Sequence, residues 1–150
     1  MNPLLKYGMI AVLIIIAFIL LGRFQGSRTT DFNELMQIPG NPLPECPGTQ
    51  NCVRISLPLA QPTSRIYFLA NQTINNLNPV EMTASPDSLK INAVFKIPVF
   101  GFHDDLVMQI SGEDRNHVLH IRSSSRSGYS DFGVNRRRVQ KIVKTIRERL

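Results

Sequence analysis

Cysteine, histidine and tryptophan are scarce in this chain of 150 residues, which has two cysteines, three histidines and no tryptophan. Two cysteines cannot complete a four-ligand zinc site, and no histidine lies near them in the sequence. Their spacing is not the C-x-x-C of redox enzymes, and the G-x-S-x-G elbow of α/β-hydrolases is missing. We therefore expect no metal and no cofactor.

The two cysteines, Cys46 and Cys52, enclose the short segment "CPGTQNC". A disulfide between them would stabilise the fold by about 2–2.5 kcal/mol, because it closes a short loop in the unfolded chain. Such a bond requires an oxidising compartment, and two free thiols are the alternative. The disulfide interpretation places the domain outside the cytoplasm.

Only one long apolar run is present, "PLLKYGMIAVLIIIAFILLG" at residues 3–22. Its uncharged core, residues 9–21, is shorter than the roughly 20 residues that span a bilayer, but Lys6 and Tyr7 can extend to the interface. A small-residue cleavage box is lacking, and no cysteine follows closely enough to suggest a lipoprotein. The run therefore predicts an uncleaved single-pass anchor at residues 1–24, with a cleaved signal peptide as the alternative. The flanking positive charges do not decide its orientation.

Positive charge is concentrated near the C-terminus. The last 29 residues, from Arg122 onward, carry nine basic and two acidic side chains, and the rest of the chain has a net charge of −1. A basic excess favours an anionic partner such as a membrane surface or nucleic acid. We expect no nucleic acid, because a tethered, exported domain rarely meets it and this segment lacks the interleaved aromatics of single-strand binders.

Six of the ten prolines fall between Pro39 and Pro62, which predicts an irregular linker over residues 25–62. Apolar residues at helical spacing follow, up to Asn78-Pro79, and then "EMTAS", "LKINAVFKI", "LVMQIS" and "HVLHIRSSS" read as strands. Residues 63–150 are thus predicted to form an α+β domain: a four-stranded antiparallel sheet with helices packed on one face.

The C-terminal helix is amphipathic. Its apolar stripe consists of Val139, Ile142, Val143, Ile146 and Leu150. Extending that stripe towards the N-terminus includes Phe132 and Asn135 and puts Arg136 at its edge, whereas Arg137, Lys141 and Lys144 point away. Ordinary solubility explains the outer basic face, and contact with an anionic membrane surface is the alternative.

Three segments resemble the family called domain of unknown function 1499. They are "CPGTQNCV", "FGFHDDLVMQI" and "HIRSSSRSGYSDFGVNRRRVQKI", which together extend from Cys46 almost to the C-terminus. The resemblance implies a small α+β domain common in bacterial envelope and photosynthetic proteins, and it implies no activity. With the apolar run and the cysteines, it predicts a protein of the bacterial inner membrane with its C-terminal domain in the periplasm.

Within these segments we expect a shared polar centre. Arginines at the start of a helix oppose its dipole, so a nearby anion would relieve the cost. That anion is either one of the protein's own aspartates, which would fix the helix against the sheet, or a ligand such as a phosphate, carboxylate or lipid head group. The candidates are Asp104, Asp105, Arg122, Ser123, Ser125, Arg126, Asp131, Asn135 and Arg136.

Taken together, the sequence predicts a binding or interaction module whose partners are the membrane and an anionic small molecule, a lipid head group or an envelope protein. The alternative is a hydrolase-like envelope enzyme that uses the region of Asp104 and Asp105. A metal site at His103 with these aspartates is only weakly indicated. No nucleophile–base motif supports catalysis, and adjacent strand residues face opposite ways.

Overall fold

The computed structural model describes residues 30–97, 101–114 and 116–150. The predicted anchor at residues 1–24 lies outside these ranges. Of the helices in the described ranges, none is both long and apolar enough to cross a membrane. The chain divides into two compact units, Met1–Glu34 and Leu35–Leu150, and the second contains the sheet.

The described residues form three helices and five strands. In chain order they are α1 (Thr30–Gln37), β1 (Cys52–Leu59), α2 (Thr63–Asn75), β2 (Glu81–Ser85), β3 (Lys90–Lys96), β4 (His103–Ser111), β5 (His117–Ser125) and α3 (Val134–Arg149). The strands make one sheet in the order β1-β5-β4-β3-β2, and every neighbouring pair is antiparallel. The predicted α+β class with an antiparallel sheet is confirmed.

The predicted count of four strands is wrong, because β1 adds a fifth at the edge of the sheet. This strand falls in the segment interpreted as a proline-rich linker, and α1 was not predicted there either. β1 lacks the alternation of a half-buried strand: Val53, Ile55, Ser56 and Leu57 are all buried. Pro58, near its end, is tolerated because β1 is an edge strand.

One face of the sheet packs against α2 and α3. Strand residues point alternately to the two faces, and every second residue of β3, β4 and β5 is buried on the helix side. Burying each large aliphatic side chain stabilises the fold by about 1.5–3 kcal/mol, so this layer is the main core. Its strand members are Val53, Ile55, Leu57, Ile91, Ala93, Phe95, Leu106, Met108, Ile110, Leu119 and Ile121.

The helix-facing layer turns polar at one end. Asp104 is paired across the sheet with Phe95 on β3 and with Ser125 on β5, and Ser123 lies opposite Val53 on β1. These positions are the start of β4 and the end of β5. The N-terminal part of α3 reaches the same end of the sheet, and the polar residues of helix and strands meet there.

A strap, residues 41–46, crosses the opposite face of β1. Asn41 Nδ2 donates to the carbonyl of Ile55 at 2.8 Å, and Arg54 donates to the carbonyls of Leu43 and Asn41 at 3.0 and 2.6 Å. The strap ends at a disulfide between Cys46 and the first residue of β1, Cys52. The disulfide therefore fixes the strap to the edge strand that it covers.

Candidate functional site

A buried ion pair occupies the polar end of the helix-facing layer. Arg138 Nη2 donates to Asp104 Oδ2 at 2.8 Å, and the aspartate side chain is fully buried while the arginine is 10% exposed. The guanidinium also lies over the ring of Phe95, with Cζ 4.5 Å from the ring centroid. A partly desolvated cation–π contact of this kind adds about 1–2 kcal/mol to the attraction between helix and sheet.

Asn135 joins the ion pair to β5. Its Oδ1 accepts from Arg138 Nη1 at 2.7 Å and from the hydroxyl of Ser123, and its Nδ2 donates to Ser125 Oγ at 3.1 Å. The Ser125 hydroxyl in turn donates to Asp104 Oδ1 at 2.6 Å. Each carboxylate oxygen of this aspartate is therefore bonded, as a buried charge requires.

Asp131 closes the cluster at the start of α3. Its carboxylate accepts from the main-chain amides of Gly133 and Asn135 at 2.9 and 2.6 Å, and also from Asn135 Nδ2 at 2.8 Å. A negative charge here is favourable because the N-terminal end of a helix is partly positive. Gly133 has a φ of +76°, a conformation that suits glycine.

The loop closed by the disulfide is tied to this cluster through Asn51. The carbonyl of Asn51 accepts from Asn135 Nδ2 at 3.2 Å and from the amide of Ser125 at 3.0 Å, and its Nδ2 donates to the carbonyl of Gly128. One buried network thus connects β1, β4, β5 and α3. We refer to Asn51, Asp104, Ser123, Ser125, Asp131, Asn135 and Arg138 as the polar cluster.

Two adjoining cavities lie beside the polar cluster. The basic cavity, of about 430 Å³, is lined by Lys96, Arg137, Arg138 and Lys141 together with apolar side chains. The apolar cavity, of about 250 Å³, is lined by Phe102 and Phe132 and by serine residues and Asp131. Both cavities have Ile97 and Val134 in their walls, so they adjoin each other, and we refer to the two together as the cleft.

A family model described as "Protein of unknown function (DUF1499)" matches residues 42–146. This chain belongs to that family. The match includes the disulfide and every member of the polar cluster, and it confirms the resemblance seen in the sequence. A comparison with curated proteins finds no match.

The polar cluster of this DUF1499 domain contains five of the nine predicted residues, namely Asp104, Ser123, Ser125, Asp131 and Asn135. Asp105 and Arg126 were expected there, but they lie on the opposite face of the sheet. Arg126 forms a bidentate pair with Asp105, with donor–acceptor distances of 2.8–3.1 Å, and side-chain exposures of 50% and 40%. The hydrogen bonds and charge of Asp105 raise the pKa of Arg126 above its ordinary value.

Arg122 and Arg136 also lie away from the polar cluster. Arg122 points to the face of the sheet that is opposite α2 and α3, which we call the open face. There its Nη1 donates to Ser124 Oγ at 2.7 Å. It lines a third cavity of about 330 Å³ there. Arg136 contacts the sulfur of Met36 at 3.8 Å. The prediction for Arg136 is corrected to Arg138, because the two side chains lie at opposite edges of the buried stripe of α3 and the Arg138 edge faces β3 and β4.

Sequence reasoning missed Arg138 and Asn51. Arg138 is three residues after Asn135 and four before Ile142, a spacing that places it near the buried stripe and could have identified it. Asn51 gave no comparable signal, since an asparagine beside a disulfide loop is an ordinary turn residue.

A second hydrogen-bonded group lies on the open face of the DUF1499 sheet. His120 Nδ1 is 3.0 Å from Ser56 Oγ, and its Nε2 is 2.7 Å from Ser111 Oγ. Burial and the nearby charge of Arg54 lower the pKa of His120 below its ordinary value, so the neutral ring is favoured. The three side chains connect β1, β5 and β4 across the sheet.

The geometry opposes the enzymatic alternative at Asp104 and Asp105. The first carboxylate is fully buried and bonded, and the second faces the other side of the sheet, so the two cannot act on one substrate. Among the described residues, no group of three His, Cys, Asp or Glu side chains is placed to hold a metal ion.

Proposed function

We propose that this DUF1499 domain is a membrane-anchored binding module, located outside the cytoplasm, that holds an anionic ligand in the basic cavity. The observation that carries the proposal is the lining of that cavity. Four cationic side chains converge on it, and its described lining contains no carboxylate. Clefts lined by one sign of charge attract ligands of the other sign.

The polar cluster supplies the frame for this site. The charge of Arg138 is already balanced by Asp104, so the attraction for a ligand comes mainly from Lys96, Arg137 and Lys141. Arg137 is held in place by donating to the carbonyl of Phe132 at 2.8 Å. Cations in the first turns of a helix are unfavourable next to its dipole, and a bound anion would relieve that cost.

The anchor and the compartment are supported by two features. The apolar run at residues 9–21 is nearly long enough to span a bilayer, with Lys6 and Tyr7 completing it. The Cys46–Cys52 disulfide requires oxidising surroundings, such as a bacterial periplasm. An inner-membrane anchor with the domain on the periplasmic side satisfies both.

The proposal is tested by calorimetric titration of the full chain, in phosphatidylcholine nanodiscs, with glycerol 3-phosphate. The double variant Lys96→Gln/Lys141→Gln should weaken binding by about 2 kcal/mol, or about thirtyfold, because each charge near the anion contributes about 1 kcal/mol. Lys90→Gln/Lys144→Gln removes the same number of charges from outside the cavity and is the matched control. Equal losses in the two variants, or no binding by the unmodified chain, would refute the proposal.

A further inference from the structure

The apolar cavity lies directly beside the basic cavity, because Ile97 and Val134 belong to the walls of both. A ligand that filled only the basic cavity would leave the apolar one exposed to water. A molecule with an anionic head and an apolar tail would match both, with its head in the basic cavity and its tail in the apolar cavity.

The mouth of the apolar cavity presents two aromatic rings to solvent. Phe132 is 79% exposed and Phe102 is 48% exposed. Phe132 also has a φ of +53°, a left-handed conformation that is uncommon for a bulky residue. The hydrogen bonds of Asp131 and Arg137 at either side of it hold this conformation. An exposed aromatic ring in a strained, well-braced position is typical of a contact site.

Two polar side chains in the wall of the apolar cavity, those of Ser125 and Asp131, are already bonded elsewhere. The Asp131 carboxylate is bonded to the start of α3, and the Ser125 hydroxyl is bonded to Asp104. These groups therefore do not need water or a polar ligand in the cavity. Burying the apolar surface of the rings and of Ile97 and Val134 would favour binding of an apolar group.

Resting on the proposed function, we propose that the ligand is an anionic phospholipid. Its phosphate head group lies in the basic cavity, among Lys96, Arg137 and Lys141, and one acyl chain lies in the apolar cavity against Phe102 and Phe132. Charge complementarity selects the anionic head group, and the adjoining apolar cavity selects a ligand with a chain. A free phosphate or a short polar metabolite would satisfy only the first half of the cleft.

The test uses the absence of tryptophan from the chain. The full-length variant Phe132→Trp, in phosphatidylcholine nanodiscs, carries a single indole at the mouth of the apolar cavity. Lysophosphatidylglycerol with a brominated chain should quench its fluorescence saturably, with one lipid per protein. Brominated lysophosphatidylcholine, which has the same chain and no net charge, should need at least tenfold more lipid for the same quenching.

Two controls separate the cleft from the bilayer. Phe68→Trp puts the indole on α2, at an exposed position that lines neither part of the cleft, and should show no difference between the two lipids. Adding Lys96→Gln/Lys141→Gln to Phe132→Trp should remove the preference for the anionic lipid. Quenching that is equal at both positions, or that rises without saturation, would identify contact with the membrane surface and overturn the proposal.

Failure of this proposal can be distinguished from failure of the proposed function. If glycerol 3-phosphate binds as tightly as the lysophospholipid, the basic cavity binds anions but the acyl-chain site is refuted. If neither binds, both proposals fail. Equal quenching by the anionic and zwitterionic lipids would leave an apolar site without the charge selectivity and would also overturn the lipid assignment.

Discussion

The two aspartates at the start of β4 have opposite environments, because consecutive strand residues point to opposite faces of the sheet. Asp104 faces α3 and is fully buried beside Arg138. Asp105 faces solvent and pairs with the exposed Arg126. The sequence already indicates that the two side chains point to opposite faces, and only the fold shows which of them is the buried charge.

Replacing each aspartate by asparagine should therefore have different effects. Asp104→Asn leaves the charge of Arg138 buried without a counter-ion, so the free energy of unfolding should fall by about 3–5 kcal/mol. Asp105→Asn removes a pair that water already screens, and it should have a far smaller effect. Urea unfolding of the full-length chain measures both, and similar losses would contradict the assignment of Asp104 to a buried ion pair.

The helical-wheel pattern of α3 shows how much of the candidate site could be predicted from single residues. It identified Asn135 and the apolar stripe, and it placed the exposed cations Arg137, Lys141 and Lys144 outside the stripe. It also put Phe132 in the stripe, although that side chain is exposed, and it selected Arg136 where Arg138, at the opposite edge, is the arginine that meets Asp104. Which edge faces β3 and β4 depends on how the helix lies across β1 and β5, and that is a tertiary property.

At the scale of whole elements, the C-terminal part of the sheet was predictable and β1 was not. β3 alternates cleanly between buried and less buried residues, and the β4–β5 hairpin is separated by a turn rich in polar residues. β1 is covered by helices on one side and by the strap on the other. Its residues therefore do not alternate between buried and exposed. Its flanking prolines then favour a linker interpretation.

The disulfide between Cys46 and Cys52 should contribute to the stability of the domain. The double substitution Cys46→Ser/Cys52→Ser should lower the free energy of unfolding by about 2–2.5 kcal/mol, since the unfolded chain regains the freedom of a short loop. Dithiothreitol should reproduce the loss in the unmodified chain. It should cause no further loss in the double variant, and a further loss there would mean that the reductant acts elsewhere than on this bond.

At the scale of the whole molecule, the basic excess in the last 29 residues divides into separate roles. Arg138 is used inside the fold, Arg126 pairs with Asp105 on the open face, and Lys141 with Arg137 lines the basic cavity. The net charge of +7 on this segment therefore overstates the positive charge that is available to a ligand. The cations that line the basic cavity, rather than the total charge of the segment, support an anionic ligand.

The proposed compartment predicts the position of the C-terminus. A reporter that is active only in the periplasm, fused after Leu150 and expressed in a bacterium, should be active, because the proposed anchor precedes a domain whose disulfide needs oxidation. A reporter active only in the cytoplasm should be inactive at the same position. The reverse pair of results would place the domain in the cytoplasm and contradict the proposed location.

The position of β1 in the sheet also determines when the domain can fold. Leu59, the last residue of this strand, pairs with His117, the first residue of β5, so the strand has no partner in the sheet until the C-terminal hairpin has been synthesised. Contacts between parts of the chain that are far apart in sequence form slowly. The Cys46–Cys52 loop is local and can close first. Pairing of β1 thus waits for the synthesis of β5, and a ribosome-bound chain that ends before β5 would expose the unpaired edge of β1.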